Sequence, residues 1–207
     1  MITRPEINDF FRAKLEAHGA TAAGVGWRDE GAQTVRFQQL LKIIVPGSAF
    51  TFNDLGCGTG EILTLLAQQF KGLYTYTGYD IVDEMISEAR KQFPERTEIS
   101  FKKISDYKEM SRADYSIASG IFNVRNSIPD QEWKAYILDT LTAMSAASSK
   151  GFAFNALTSY SDKDKVRSDL FYSDPLFFFD YCKRNFSKEV ALLHDYGIYD
   201  FTILVRK

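Results

Sequence analysis

The sequence has few cysteines, few histidines and no long apolar run, and each shortage excludes a class of protein. Two cysteines and two histidines occur among 207 residues, so neither a disulfide framework nor a metal site is predicted. The apolar stretches are too short to cross a membrane, and the first residues lack the charged start and apolar segment of a signal peptide. A soluble, cytoplasmic protein with no membrane partner is therefore expected.

Basic residues are not in excess either. Lys and Arg number 25 against 27 Asp and Glu, which gives a formal net charge of -2. Proteins that act on nucleic acid usually carry a basic surface, so no nucleic-acid partner is expected, although composition alone leaves one open. The length suits one substantial domain, and its core or a pocket must absorb 17 Phe and 11 Tyr.

Short apolar runs alternate with helical stretches along most of the chain, which is typical of βαβ units around a parallel sheet. The predicted strands of this part are about 49–55, 74–81, 99–104, 113–118 and 151–157. The predicted helices are about 60–70, 83–93 (capped by Asp83), 130–148 and 175–186. Two further strands, 190–194 and 201–205, are joined by a link too short for a parallel crossover, so they form an antiparallel hairpin.

The sharpest motif follows the first strand, in the run Asp54-Leu55-Gly56-Cys57-Gly58-Thr59-Gly60. Glycines let the backbone turn tightly beside a ligand, and the next helix offers free N–H groups. Glu61 stands where a nicotinamide fingerprint needs its third glycine. The spacing instead resembles D-x-G-x-G-x-G, the first motif of class I S-adenosylmethionine-dependent methyltransferases. The resemblance implies that the loop holds the methionine part of S-adenosylmethionine through Asp54, Gly56, Cys57, Gly58 and Gly60.

Further cofactor contacts are predicted where the next strands end. Asp80, about 20 residues past the glycine loop, can accept both ribose hydroxyls from the tip of its strand. In the family that the loop resembles, the position of Asp106 contacts the adenine amino group. Gly120 lets the cofactor pass close to the fourth strand. The predicted contact set is completed by Ile81, Ser105, Tyr107 and Ser119.

Residues 1–45 are predicted to form an N-terminal helical cap, with helices at about 5–18 and 32–45. Trp27 lies between them, and tryptophan is rarely left exposed. In the superfamily that the glycine loop resembles, such segments often fold over the cofactor, which implies that Trp27 shields the sulfonium. Arg36 could pair with the cofactor carboxylate. The alternative packs Trp27 on the sheet edge and leaves Arg36 in solvent.

The acceptor is expected beyond the fourth, fifth and sixth strands of the methyltransferase domain, residues 46–207. Its insertion near 158–175 is polar, aromatic and rich in cations, and such loops usually set acceptor choice. The predicted substrate-binding residues are Asn123, Arg125, Asn155, Tyr160, Arg167 and Tyr172. The predicted catalytic residues are His194, Arg125 and Tyr160. Arg125 could equally be a solvated loop charge, and His194 a hydrogen-bonded residue at a strand end.

These features predict an α/β fold: a Rossmann-like, doubly wound, seven-stranded sheet, mostly parallel, with a C-terminal antiparallel hairpin. The chain resembles stand-alone bacterial small-molecule methyltransferases, which implies S-adenosylmethionine as cofactor and S-adenosylhomocysteine as product. A small polar, anionic or sugar-like acceptor is expected, with O-methylation favoured, on a monomer or homodimer. A tRNA methyltransferase and a non-catalytic S-adenosylmethionine-binding protein remain the alternatives.

Overall fold

The computed structural model describes residues 5–19, 21, 24, 30–94 and 97–207. Within them, seven strands form one sheet in the order β3-β2-β1-β4-β5-β7-β6. The strands are β1 (Phe50–Leu55), β2 (Tyr74–Asp80), β3 (Ile99–Lys103), β4 (Ala113–Ala118), β5 (Ser148–Leu157), β6 (Glu189–Leu193) and β7 (Asp200–Arg206). The helices are α1 (Pro5–His18), α2 (Glu30–Leu41), α3 (Ile62–Phe70), α4 (Asp83–Gln92), α5 (Asp130–Ala147) and α6 (Pro175–Asn185).

Strands β1 to β5 pair with one another in parallel, and β7 runs antiparallel between β5 and β6. This arrangement confirms the predicted Rossmann-like sheet and its antiparallel C-terminal hairpin. In the β5–β7 pair Leu157 lies opposite Asp200, so the end of β5 and the start of β7 share one edge of the sheet. The carboxyl ends of β1 to β4 lie at that same edge, where open α/β sheets bind their ligands.

The end of α2 and the cap of α4 differ from the sequence prediction for local reasons. Helix α2 ends at Leu41 rather than 45, because the chain closes with i→i−3 bonds over residues 39–44 ahead of Pro46. Asp83 does not cap α4. The residue before the helix is Val82, no side chain caps it, and the Asp83 carboxylate lies 3.1 Å from Lys103 Nζ.

The core covers both faces of the sheet, and β5 shows how. Successive strand side chains point to opposite faces, and Phe152 and Phe154 pack with α5 and α6 while Ala153 faces α2 and α3. Trp133 of α5 is fully buried and donates its indole N–H to the Phe122 carbonyl oxygen at 2.8 Å. The composition predicted that many Phe and Tyr rings must be buried, and most of them lie in the core layers on the two faces of the sheet.

The N-terminal helices pack against α4 and against the last strands of the sheet. Arg12 of α1 donates to the Glu84 carboxylate of α4 at 2.8 Å, and Leu15 packs on Val82 and Met85. Helix α2 packs against β5 and β7. No helix in the described part of the chain is both long and apolar enough to cross a membrane.

Candidate active site

A cavity of about 760 Å³ lies along the carboxyl edge of the sheet, and residues of α1 and α2 form part of its wall. Its strand-end part is formed by residues within 54–61, 80–85, 104–107 and 119–120. Its loop part is formed by residues within 157–172 and 197–200. A volume of this size is typical of pockets that hold small molecules or cofactors.

The glycine loop turns back on the neighbouring strand at the base of the strand-end part. The amides of Gly56 and Cys57 both donate to the Tyr79 carbonyl oxygen, at 2.7 and 3.0 Å. Gly56 has φ +74°, and a Cβ there would lie 2.2 Å from Ile121 Cγ2, so the close approach requires glycine. Gly60, predicted to contact the cofactor, lies behind the cavity wall, where its missing side chain makes room for the Phe101 ring.

Asp54 lies buried at the end of β1, where its Oδ2 accepts a hydrogen bond from the Tyr76 hydroxyl at 2.9 Å. Burial raises the pKa of Asp54 to about 7, the Tyr76 hydrogen bond lowers it in part, and the nearby charges of Asp80 and Glu61 raise it further. Burial likewise raises the pKa of Glu61, which accepts a hydrogen bond from the Thr59 hydroxyl, to about 7. Cation binding would favour the charged forms of both carboxylates.

Asp80 lies at the tip of β2, and two backbone amides fix its carboxylate. Oδ1 accepts from the Val82 amide and Oδ2 from the Gly58 amide, each at 2.9 Å. Burial raises the pKa of Asp80, and these hydrogen bonds lower it in part. Each carboxylate oxygen has a second lone pair, so Asp80 keeps the capacity to accept hydroxyl groups from a ligand in the cavity.

Asp106 forms one side of the strand-end part, and the turn that follows β3 orients it. Its Oδ1 accepts from the Lys108 amide at 2.9 Å, while the Glu109 carboxylate accepts from the amides of Ser105 and Asp106. Tyr107 packs edge-on against Tyr136 of α5, with 6.0 Å between ring centroids, and both rings line the cavity. Acidic and aromatic groups thus meet where the sequence predicted an adenine contact.

Asn155 is not in the cavity wall, contrary to its predicted role in substrate binding. Its Oδ1 accepts from the Gly120 amide at 2.8 Å and its Nδ2 donates to Ser119 Oγ at 3.2 Å. It therefore holds the end of β4, where Ser119 and Gly120 line the cavity. Asn123 does reach the wall, and its Oδ1 accepts from the Leu157 amide at 3.0 Å.

The three residues predicted to be catalytic lie outside the cavity. Arg125 donates to the Ile128 carbonyl oxygen at 2.8 Å, and its Nε lies 3.1 Å from Asp130 Oδ1, so its guanidinium is held by its own loop. His194 follows the edge strand β6 and is exposed, with its ring 5.9 Å from that of Tyr160. Tyr160 is 64% exposed. His194 lies outside the cavity because β6 is an edge strand, whose end lies beyond the central cleft.

Arg36 reaches the cavity wall, where its Nη2 forms a buried ion pair with Asp200 Oδ2 at 2.6 Å. Trp27 lies outside the described residues. In the loop part Arg167 makes two hydrogen bonds to the Asp169 carboxylate, and the Tyr172 hydroxyl accepts from the Arg167 amide at 3.0 Å. Both Arg167 and Tyr172 line the cavity as predicted substrate contacts would.

Several wall residues were not among the predicted site residues. They come from α1, from the glycine loop and from both sides of the loop part, and include Phe10, Lys14, Glu61, Lys165, Tyr199 and Asp200. Glu61 directly follows Gly60, and Lys165 is two residues before Arg167. Their closeness to predicted site residues could have indicated both. The α1 residues had no such signal, because docking of that helix depends on tertiary contacts.

Five parallel strands, the inserted β7 and a cavity lined by Asp54, Asp80 and Asp106 define the architecture of a class I methyltransferase. Residues 53–144 match the family described as Methyltransferase domain. A Mycobacterium tuberculosis (strain ATCC 25618 / H37Rv) protein named "Putative methyltransferase Rv1506c" is 52% identical over 168 residues, which cover 81% of this chain and 99% of that protein.

Solved structures with similar folds include two methyltransferase complexes. Magnesium protoporphyrin IX methyltransferase (ChlM) from Synechocystis PCC 6803 with bound SAM has a TM-score of 0.65 at 16% identity, covering 98% of this chain and 96% of that one. The DhpI-SAM-HEP complex has a TM-score of 0.64 at 15% identity, covering 96% and 95%. The chain belongs to the class I S-adenosylmethionine-dependent methyltransferases.

Proposed function

We propose that the chain binds S-adenosylmethionine in the strand-end part of the cavity and transfers its methyl group to a hydroxyl of a small polar acceptor in the loop part. The observation that carries this proposal is that Asp54, Asp80 and Asp106, from three consecutive βα turns, line one cavity. That cavity continues past them into a region lined by Arg167 and Tyr172. Residues 1–45 act as a cap, since α1 and α2 contribute to the wall.

Each part of the cofactor has a matching group in the strand-end part. Ribose hydroxyls donate to Asp80, and Asp106 accepts from the adenine amino group. The ammonium and sulfonium carry positive charge, and the Asp54 and Glu61 carboxylates supply the opposite charge in a buried setting. Arg36, which pairs with Asp200 at the cavity wall, would bind the cofactor carboxylate.

The acceptor region combines charged groups with rings. Arg167 and Lys165 offer cations, and Tyr172 and Tyr199 offer flat surfaces that suit a sugar or an aromatic ring. A small molecule suits this site better than a polynucleotide, because the chain has a net charge of -2 and no basic block.

Methyl transfer is an in-line displacement: the acceptor oxygen forms a bond to the methyl carbon while the carbon–sulfur bond breaks. The sulfonium already activates the carbon, so the protein's tasks are to align the two reactants and to exclude water. Such alignment supplies roughly 7–11 kcal/mol in favourable cases. The strand ends, which hold the cofactor over the sheet edge, and the helical cap suit these tasks.

Calorimetric titration tests the cofactor assignment. The purified protein is expected to bind S-adenosylmethionine and S-adenosylhomocysteine but no nicotinamide dinucleotide. Asp80→Ala should weaken cofactor binding by roughly 2–4 kcal/mol, because charge-assisted hydrogen bonds to ribose are lost, which is about 30- to 1,000-fold in Kd. Tight dinucleotide binding without a response to S-adenosylmethionine would refute the proposal.

The matched control is Asp180→Ala, which removes a surface carboxylate that pairs with Arg184 on α6. It should change the cofactor Kd less than about twofold. The acceptor class is tested with methyl-labelled S-adenosylmethionine and two substrate pools, small hydroxylated acids and sugars in one and total tRNA in the other. Label transferred to tRNA by the protein alone would contradict the small-molecule assignment.

A further inference from the structure

Three side chains of the loop part form a hydrogen-bonded group at the cavity wall, which we name the Tyr199 network. The Tyr199 hydroxyl donates to Asp162 Oδ2 and accepts from Lys165 Nζ at 3.0 Å. Lys165 Nζ also lies 3.4 Å from the same Asp162 oxygen. Tyr199 and Lys165 line the cavity, whereas Asp162 lies behind them and its side chain is 57% exposed.

Backbone hydrogen bonds hold both sides of the Tyr199 network in place. The Tyr199 carbonyl oxygen accepts from the Thr158 amide at 3.1 Å, which ties the turn before β7 to the end of β5. A 3₁₀ turn, Lys163–Lys165, follows Asp162, and the Lys165 amide donates to the Asp162 carbonyl oxygen at 3.0 Å. Backbone hydrogen bonds therefore fix the positions from which the three side chains project, at the edge of the sheet where the acceptor is proposed to bind.

The hydrogen-bond inventory of Tyr199 leaves one position for a ligand. A phenolic oxygen has one proton and two lone pairs. Its proton is directed to Asp162 and one lone pair to Lys165. Among the described residues one lone pair is therefore left for a ligand hydroxyl, and Tyr199 lines the cavity. The Tyr199 hydrogen bond and then Lys165 lower the pKa of Asp162, which keeps this carboxylate charged and able to accept.

We propose that Tyr199 is a catalytic residue that takes the proton from the acceptor hydroxyl, with Asp162 as the positioning residue that receives the Tyr199 proton. This inference rests on the proposed function, because it requires the cofactor methyl group to lie at the same edge. It assigns the acceptor atom as the oxygen of an alcohol or phenol. Tyr160 and His194, the candidates predicted from the sequence, do not line the cavity.

The proton relay through Tyr199 accompanies methyl transfer. The acceptor oxygen forms a bond to the methyl carbon, and the carbon–sulfur electron pair passes to sulfur, which leaves neutral S-adenosylhomocysteine. The acceptor proton moves to the Tyr199 oxygen as the Tyr199 proton moves to Asp162. A methylated oxygen that still holds its proton is a strong acid, so even a carboxylate of low basicity accepts it downhill. The exposed Asp162 then passes the proton to water.

Two matched acceptors test the proposal: 7-hydroxy-4-methylcoumarin and 7-mercapto-4-methylcoumarin, which differ only in the accepting atom. An aromatic thiol ionises at lower pH than the matched phenol, so at mildly acidic pH the thiolate needs no base. Tyr199→Phe and Asp162→Asn should lower kcat for O-methylation about 100-fold, the usual contribution of a general base. S-methylation and the Kd of S-adenosylmethionine should change less than about threefold.

Tyr181→Phe is the control, because Tyr181 lies on α6 and stacks on Phe177 outside the cavity. Equal losses for both coumarins in Tyr199→Phe would mean that Tyr199 only shapes the site, and the proposal would fall. It would also fall if wild-type protein bound S-adenosylmethionine yet methylated the thiol alone, or neither coumarin. Absence of S-adenosylmethionine binding in wild-type protein would instead refute the proposed function itself.

Discussion

At the strand-end part of the cavity backbone amides hold the Asp80 carboxylate, whereas at the loop part side chains hold one another, as Asp169 holds Arg167. The amides of the strand-end part are fixed as soon as the parallel strands pair, because each turn directly follows its strand. The arrangement of the loop part depends on the loops 158–174 and 194–199, whose side chains can be exchanged without disturbing the sheet. One scaffold can therefore keep its cofactor while its acceptor changes.

The largest effect should follow from changing the backbone of the strand-end part. In Gly56→Ala the new Cβ meets Ile121 in a backbone conformation with φ +74°. The conformation costs roughly 1–2 kcal/mol and the overlap roughly 1–3 more. Chemical denaturation should show that combined loss, and calorimetry should show no measurable cofactor binding.

Gly72→Ala separates the cost of the backbone conformation from the cost of steric overlap. Gly72 has a similar φ of +80°, but a Cβ there meets nothing within 4 Å. Its free energy of unfolding should fall only by the conformational cost, and its cofactor affinity should stay normal. If Gly56→Ala were no worse than Gly72→Ala, the close approach of Ile121 to the loop would be ruled out as a constraint.

Proton uptake at Asp54 should make stability depend on pH. Its pKa in the folded protein, about 7, is above its ordinary value of 3.8, so between these values the folded state binds more protons than the unfolded state. The contribution of Asp54 to stability is therefore complete below its ordinary pKa and is lost as pH rises through about 7, by up to about 3 kcal/mol between pH 5 and 7.5. Urea midpoints across this range measure the slope.

Asp54→Asn should flatten that slope in part, because Glu61 contributes a slope of the same sign. The control is Asp139→Asn, an exposed carboxylate of α5. An unchanged slope in Asp54→Asn would show that Asp54 is already ionised at pH 5 in the folded protein.

The smallest effects should distinguish two arginines of the loops. Arg167→Ala should raise KM for the anionic acceptor 7-hydroxycoumarin-3-carboxylate about tenfold, the equivalent of roughly 1.4 kcal/mol. It should leave KM for neutral 7-hydroxy-4-methylcoumarin nearly unchanged. Arg125→Ala should alter neither KM and should cost roughly 1 kcal/mol of stability through its lost bond to Ile128.

A rise in KM for the anionic coumarin in Arg125→Ala would place that side chain in the acceptor site, against its position here. An equal rise for both coumarins in Arg167→Ala would indicate that the change disturbs the loop rather than removing a charge partner.

The positions that local sequence patterns determine could be predicted from the sequence. The placement of Asp54, Asp80 and Asp106 at the cavity follows from their spacing, because side chains at the carboxyl ends of parallel strands must meet at one edge. The same reasoning predicted the hairpin of β6 and β7. Strand period and turn length are local properties, and tertiary packing did not override them.

Side-chain direction in the loops could not be obtained in this way. Arg125 lies in the loop that follows β4, and Tyr199 directly precedes β7, so both belong to the carboxyl edge of the sheet. Arg125 nevertheless donates to a carbonyl oxygen of its own loop, while Tyr199 lines the cavity. The choice depends on partners such as Ile128 and Asp162 that only the folded loops bring close. Asn155 is a similar case, since its partner, the Gly120 amide, is 35 residues away in the sequence.

The ion pair between Arg36 and Asp200 joins residues 164 positions apart, and this separation bears on how the protein is made. A ribosome releases the N-terminal part first, so β1 to β4 can pair while the last strands are still unsynthesised. Helix α2 must wait for β7 before Arg36 meets its partner. Contacts of such long sequence separation form slowly. During synthesis the chain therefore passes through a period in which the glycine loop is in place and the opposite wall of the cavity is missing.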